Sequence, residues 1–85
     1  MEDNNKSMEL LKFIENFSNE FLETDVNEIK GETKFKNLEE WDSVLALSII
    51  AMVEENYNRR ITGNELRNSE TVYGLFINIF GSNIE

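Results

Sequence analysis

The chain contains no cysteine, no histidine and no proline, and only eight basic residues stand against seventeen acidic ones. Without cysteine there can be no disulfide, no thiolate zinc site and no thiol nucleophile. Without histidine the chain lacks the side chain most used for proton transfer near neutral pH, and with it the Ser-His and Cys-His pairs that activate nucleophiles. Self-contained catalysis is therefore not expected, and the chain reads as a non-enzyme. The missing proline leaves no marker of a domain boundary. The formal charge of −9 disfavours nucleic acid and anionic membrane and favours basic protein surfaces as partners. The start, Met1-Glu2-Asp3-Asn4-Asn5-Lys6, lacks the basic and apolar parts of a signal peptide, and the longest apolar-rich run, residues 44–53, is too short to span a bilayer. These features lead to the expectation of a soluble cytoplasmic monomer.

What is present is enough for one core. Of the 85 residues, 40% are apolar and 11% aromatic, the aromatics being six Phe, two Tyr and one Trp. That material can bury a compact core without covalent staples, so residues 1–85 are expected to form a single domain. Leu10, Leu11, Phe13, Ile14, Phe17, Phe21 and Leu22 recur at three- and four-residue spacings, which predicts an amphipathic helix over about residues 4–22. Residues 23–41 show no sustained period. Val26, Ile29, Phe35 and Leu38 mark them as a long loop pinned to the core, and Asp25 with Glu28 can cap a short helical turn inside it.

A second helix is predicted over 42–57, with Ala46, Ile49, Ile50, Val53 and Tyr57 facing inward. Thr62-Gly63-Asn64-Glu65 has capping-box spacing and predicts a short third helix over about 63–67. Thr71 is placed to cap a last helix with Val72, Leu75, Phe76, Ile79 and Phe80 inside, Gly81 to stop it, and Gly74 within it costs about 1 kcal/mol relative to Ala. No segment alternates as a half-buried strand does. The expected class is all-α: three longer helices, one short one and a long first loop.

Asp42-Ser43 opens the second helix. Its plain reading is an N-cap, in which a side-chain oxygen accepts a free backbone N–H two or three positions on. The surroundings suggest more. Val44, Leu45, Leu47, Ala51 and Met52 lie beyond the inward stripe, a surplus apolar face of the kind that docks partners. Glu39, Glu40 and Asp42 precede that face and Glu54 and Glu55 follow it, giving it an acidic rim suited to basic partners.

The order of a long acidic loop, W-D-S-V at the head of an apolar helix, E-E-N-Y at its end, then I-T-G-N-E-L and S-E-T-V-Y-G-L-F resembles the acyl carrier protein family over about residues 35–80. The resemblance implies a four-helix bundle of acyl-carrier type. It also implies that Ser43, flanked by Asp42, receives a 4′-phosphopantetheine arm from coenzyme A by the action of a phosphopantetheinyl transferase. Acyl groups would ride on the arm's thiol as thioesters, presented to ligases, synthases or acyltransferases with basic docking surfaces. The docking face would comprise Glu39, Glu40, Val44, Leu45, Leu47, Ser48, Met52, Glu54 and Glu55.

The chain departs from the family's fatty-acid members in several places. Val44 stands for the usual Leu, and Trp41 stands where a small residue is usual, as expected of a staple packing the loop on the first turn of the helix. Leu45 and Ser48 stand where acidic residues are usual, which points to a dedicated carrier in a specialised pathway, such as a secondary-metabolite, lipid or surface-polysaccharide cluster, rather than to the general fatty-acid machinery alone. Two other readings remain: an aminoacyl or peptidyl carrier using the same arm, and an acidic helical adaptor with no arm. An EF-hand beginning at Asp25 fails, because Ile29, Lys30 and Lys36 occupy the positions of an oxygen ligand, the turn glycine and the bidentate glutamate.

Overall fold

A computed structural model describes the backbone of residues 2–81 and the side chains of residues 8–81. The described residues form four α-helices and no strand: α1 (Glu2–Ser18), α2 (Ser43–Tyr57), α3 (Gly63–Asn68) and α4 (Val72–Phe80). None is long and apolar enough to cross a membrane. α1 packs against α4 and α2, and short α3 bridges α2 and α4.

Phenylalanine links the core. Phe13 sits 5.5 Å from Phe76 and 6.2 Å from Phe17, ring centre to ring centre. Phe17 meets Phe35 of the long loop edge-on at 5.3 Å. Phe13, Phe17 and Phe35 are fully buried, as are Ile49, Val53, Val72 and Leu75. Each such side chain contributes about 1.5–3 kcal/mol through removal from water.

α1 ends four residues short of the expected residue 22. The Ser18 hydroxyl turns back to donate to the Ile14 carbonyl at 2.7 Å. The chain then tightens into i→i+3 bonds, from Glu20 to Phe17 and from Phe21 to Ser18. That tightening carries Phe21 into the core and swings Leu22 out to 90% exposure. Leu11, also expected inside, is exposed because it lies about 100° around the helix from Leu10.

The long loop is ordered by two 3-10 turns, Val26–Glu28 and Phe35–Asn37. Asp25 caps the first turn by accepting from the Asn27 N–H at 2.9 Å, as the sequence suggested. Ile29 and Phe35 are the loop's buried anchors, Leu38 is half-buried, and Val26 is exposed, contrary to expectation. The loop also serves α4: the carbonyls of Thr33 and Gly31 accept from the N–H groups of Val72 and Tyr73, at 3.1 and 2.8 Å. These are two of the amides a helix start leaves without partners. Lys36 reaches across to the last turn of α3, donating to the Arg67 carbonyl at 2.6 Å.

The expected caps of the last two helices form. Glu65 accepts from the Thr62 N–H at 2.7 Å and from its hydroxyl at 2.6 Å, closing the capping box, and Thr71 accepts from Gly74 N–H at 2.9 Å. Gly81 does not stop α4 with a left-handed residue: its backbone stays in the right-handed helical region. The left-handed position is instead Asn58, with φ 55°, which ends α2. Asn tolerates that conformation better than most residues because its short polar side chain compensates locally.

Candidate functional site

Asp42 has extended backbone geometry and is the N-cap of α2, its Oδ1 accepting from the Leu45 N–H at 2.8 Å while its carbonyl accepts from Ala46 N–H at 3.0 Å. Ser43 is therefore the first residue inside the helix rather than the cap. It is exposed, and so is Val44 after it. Among the described residues, no side chain accepts from the amides of Ser43 or Val44, and no group binds the Ser43 hydroxyl. One residue caps, and its neighbour holds a free hydroxyl over the positive end of a fifteen-residue helix.

Three connections hold this start in place. Trp41 lies between Phe21, stacked at 6.3 Å, and Phe35, met edge-on at 4.9 Å. It thus fastens the end of the loop to the chain following α1 and to the second 3-10 turn. The Trp41 N–H donates to the Leu38 carbonyl at 3.0 Å. The third connection is Glu40. Its carboxylate accepts from Leu22 N–H at 2.6 Å, from Glu23 N–H at 3.1 and 3.2 Å, and from the N–H and hydroxyl of Thr24, both at 2.8 Å. Desolvation opposes its charge, but these hydrogen bonds outweigh that and hold the carboxyl below its ordinary value of 4.5.

The expected docking residues divide into two sets. Val44 and Leu47 are 69% and 65% exposed, with Ala51 exposed further along the same stripe and Ser48 half-exposed. Leu45 and Met52 are buried, at 7% and 3%, and do not belong to an outer face. The inner stripe of α2 is Leu45, Ile49, Met52 and Val53, while Ala46, Ile50 and Tyr57 stand half-buried beside it. Ile49 and Val53 face inward as expected and Leu45 and Met52 join them, so the buried face is turned from the expected one by less than the roughly 100° step of one residue. Leu45, which takes the place of an expected acidic residue, is thus a core side chain.

The acidic rim is also altered. Glu39, Glu54 and Glu55 are exposed, and Glu54 pairs with Arg60 at 3.5 Å. Glu40 faces inward on the loop backbone and is not a free rim charge. Nothing in the sequence pattern marked that role, since its donors lie sixteen to eighteen residues earlier in the chain. Among the described residues, no group of three or more acidic side chains is arranged to hold a metal ion.

No protein-family model, no curated protein and no solved structure matches the chain.

Proposed function

We propose that this chain is a carrier protein that accepts a 4′-phosphopantetheine arm on Ser43 and presents acyl groups, held on that arm, to partner enzymes. The observation that carries the reading is the division between Asp42 and Ser43. Because Asp42 performs the capping, the Ser43 hydroxyl is exposed and unbonded at a helix start. A serine needed only for capping would have its oxygen on the amide of the second or third helical residue.

The residues present fit the arm. A phosphodiester on Ser43 Oγ would lie beside the unpaired amides of Ser43 and Val44, where the helix dipole favours negative charge. The acidic residues just before it, Asp42, Glu40 and Glu39, would oppose a phosphate, but Asp42 and Glu40 already spend oxygen atoms on backbone amides. When bound, the arm would supply a terminal thiol on which cargo rides as a thioester. This chain contributes one hydroxyl and a helix for recognition. Activation of the hydroxyl is left to a transferase, in keeping with a sequence lacking histidine and cysteine.

Partners dock on the exposed stripe of Val44, Leu47 and Ala51, with Ser48 beside it and Glu39, Glu54 and Glu55 at its ends. Apolar contact supplies the centre of that surface and basic residues on the partner meet the rim. Ser48 leaves the middle uncharged, which supports a dedicated enzyme set rather than the general fatty-acid machinery.

The test is labelling by a phosphopantetheinyl transferase with a fluorescent coenzyme A conjugate. Wild type and Ser48→Ala should label, and Ser43→Ala should not. Equal labelling of Ser43→Ala would place the arm elsewhere. No labelling of wild type by several transferases would instead favour an adaptor that uses the α2 face without an arm.

A further inference from the structure

Among the described residues, Glu40 is the one side chain that gathers donors from three successive residues of a distant segment. Leu22, Glu23 and Thr24 present consecutive backbone N–H groups, a concave arrangement suited to an anion, and both Glu40 oxygens fill it. The Thr24 hydroxyl adds a further donor at 2.8 Å. A carboxylate has about four acceptor sites, and this one uses most of them within the protein.

The carboxylate joins the two ends of the long connection. Residues 22–24 follow α1, and Glu40 stands three positions before Ser43. Trp41, next in the chain, is seated between Phe21 and Phe35, and Asp42, next again, caps α2. Backbone position therefore passes directly from the Glu40 anchor through Trp41 and Asp42 to Ser43. Trp41 is only half-buried, so its stacking alone is a partial fastening.

We infer that Glu40 is a positioning residue for Ser43: by locking the start of the loop to its end, it holds the head of α2 in the orientation a modifying enzyme meets. The inference rests on the carrier reading for its functional consequence and on the hydrogen bonds for its geometry. Glutamine at this position keeps the size but offers a single acceptor oxygen. Its NH2 would face backbone N–H groups, so either the Leu22 N–H or the Thr24 N–H would lose its partner.

The charged groups sharing a cleft with Glu40 are Glu23, Asp25, Glu28 and Glu39, all carboxylates. Protonation of Glu40 places a donor on one of its oxygens and weakens the hold of the group on Leu22, Glu23 and Thr24. The Glu40 carboxyl titrates below its ordinary value, so this release belongs to acid below that value.

Two measurements decide the inference. In an amide NMR titration of the wild type from neutral pH downward, the signals of Leu22, Glu23 and Thr24 should move with one shared midpoint. Those of Ser43 and Val44 should follow it. In transferase labelling, Glu40→Gln should lower kcat/KM by about fivefold or more, on the scale of lost charged hydrogen bonds. Glu32→Gln, which removes an exposed loop carboxylate outside the site, should label as wild type does. Labelling of Glu40→Gln at the wild-type rate overturns the inference, as does a titration in which residues 22–24 respond while Ser43 and Val44 stay still. If the wild type is not labelled at all, the carrier reading falls while the titration still decides whether Glu40 positions Ser43. If Glu40→Gln does not fold, the wild-type titration decides alone.

Discussion

Replacing Asp42 and Ser43 separately by alanine should give two unlike outcomes from adjacent residues of the same capping class. Asp42→Ala removes the acceptor of the Leu45 N–H, a 2.8 Å bond at the first turn of α2, and a negative charge at the positive end of that helix. Loss of such a cap costs about 1 kcal/mol, within a range of roughly 0.5–2 kcal/mol. In an 85-residue chain, 1 kcal/mol lowers the melting temperature by about 4–8 °C. Ser43→Ala removes an exposed hydroxyl with no partner and places the best helix former at a helical position, so its stability should stay within about 0.5 kcal/mol of wild type. The assay is thermal and urea unfolding followed by far-ultraviolet circular dichroism, with unchanged urea dependence required so that the midpoints compare stability alone. A Ser43→Ala variant as destabilised as Asp42→Ala would show that serine shares the capping, and the argument from its free hydroxyl would fail.

The burial pattern of α2 is checked by a pair of variants: Leu45→Glu should unfold the protein, since a buried unpaired charge costs several kcal/mol, whereas Leu47→Glu should leave circular dichroism and melting nearly unchanged while weakening transferase binding. Equal tolerance of the two would mean the helix is rotated otherwise. Phe17→Ala should cost about 3–5 kcal/mol in urea unfolding, because the ring is fully buried and touches Phe13, Phe21 and Phe35. Acid should also destabilise the fold. The hydroxyl and N–H of Thr62 hold Glu65 below its ordinary 4.5, and Glu40 is lowered by its loop donors. A carboxyl lowered on folding adds stability that is present above its unfolded value and disappears as pH falls through the folded one. Urea midpoints should therefore drop as pH falls below about 4.5, and Glu65→Gln should make that drop shallower; an unchanged slope would contradict the assignment.

The features legible in the sequence are those whose partners lie within one turn of chain. Asp25, Thr62 with Glu65, and Thr71 bond to amides two or three residues away, so residue type and spacing suffice to find them. The inner face of α4 was legible because Tyr73, Gly74 and Asn78 interrupt its apolar residues. α2 lacks that contrast. From Val44 to Val53 only Ser48 is polar, so periodicity cannot select one face, and the burial of Leu45 and Met52 emerged only from packing. The end of α1 was misplaced because Phe21 keeps the apolar rhythm after the helix has tightened and ended. Glu40 and Trp41 join parts of the chain about twenty residues apart, and no local pattern encodes such pairings. Ser43 was legible as an exposed residue at a helix start, but which of Asp42 and Ser43 does the capping was not.

The central claim, that Ser43 carries the arm, is tested most directly by intact mass. The protein is incubated with coenzyme A and a phosphopantetheinyl transferase, weighed by mass spectrometry, and then mapped by peptide fragmentation. The expected result is one phosphopantetheine on the wild type, located on Ser43, and none on Ser43→Ala. An unmodified wild type with several transferases, or the same gain in mass on Ser43→Ala, would contradict it.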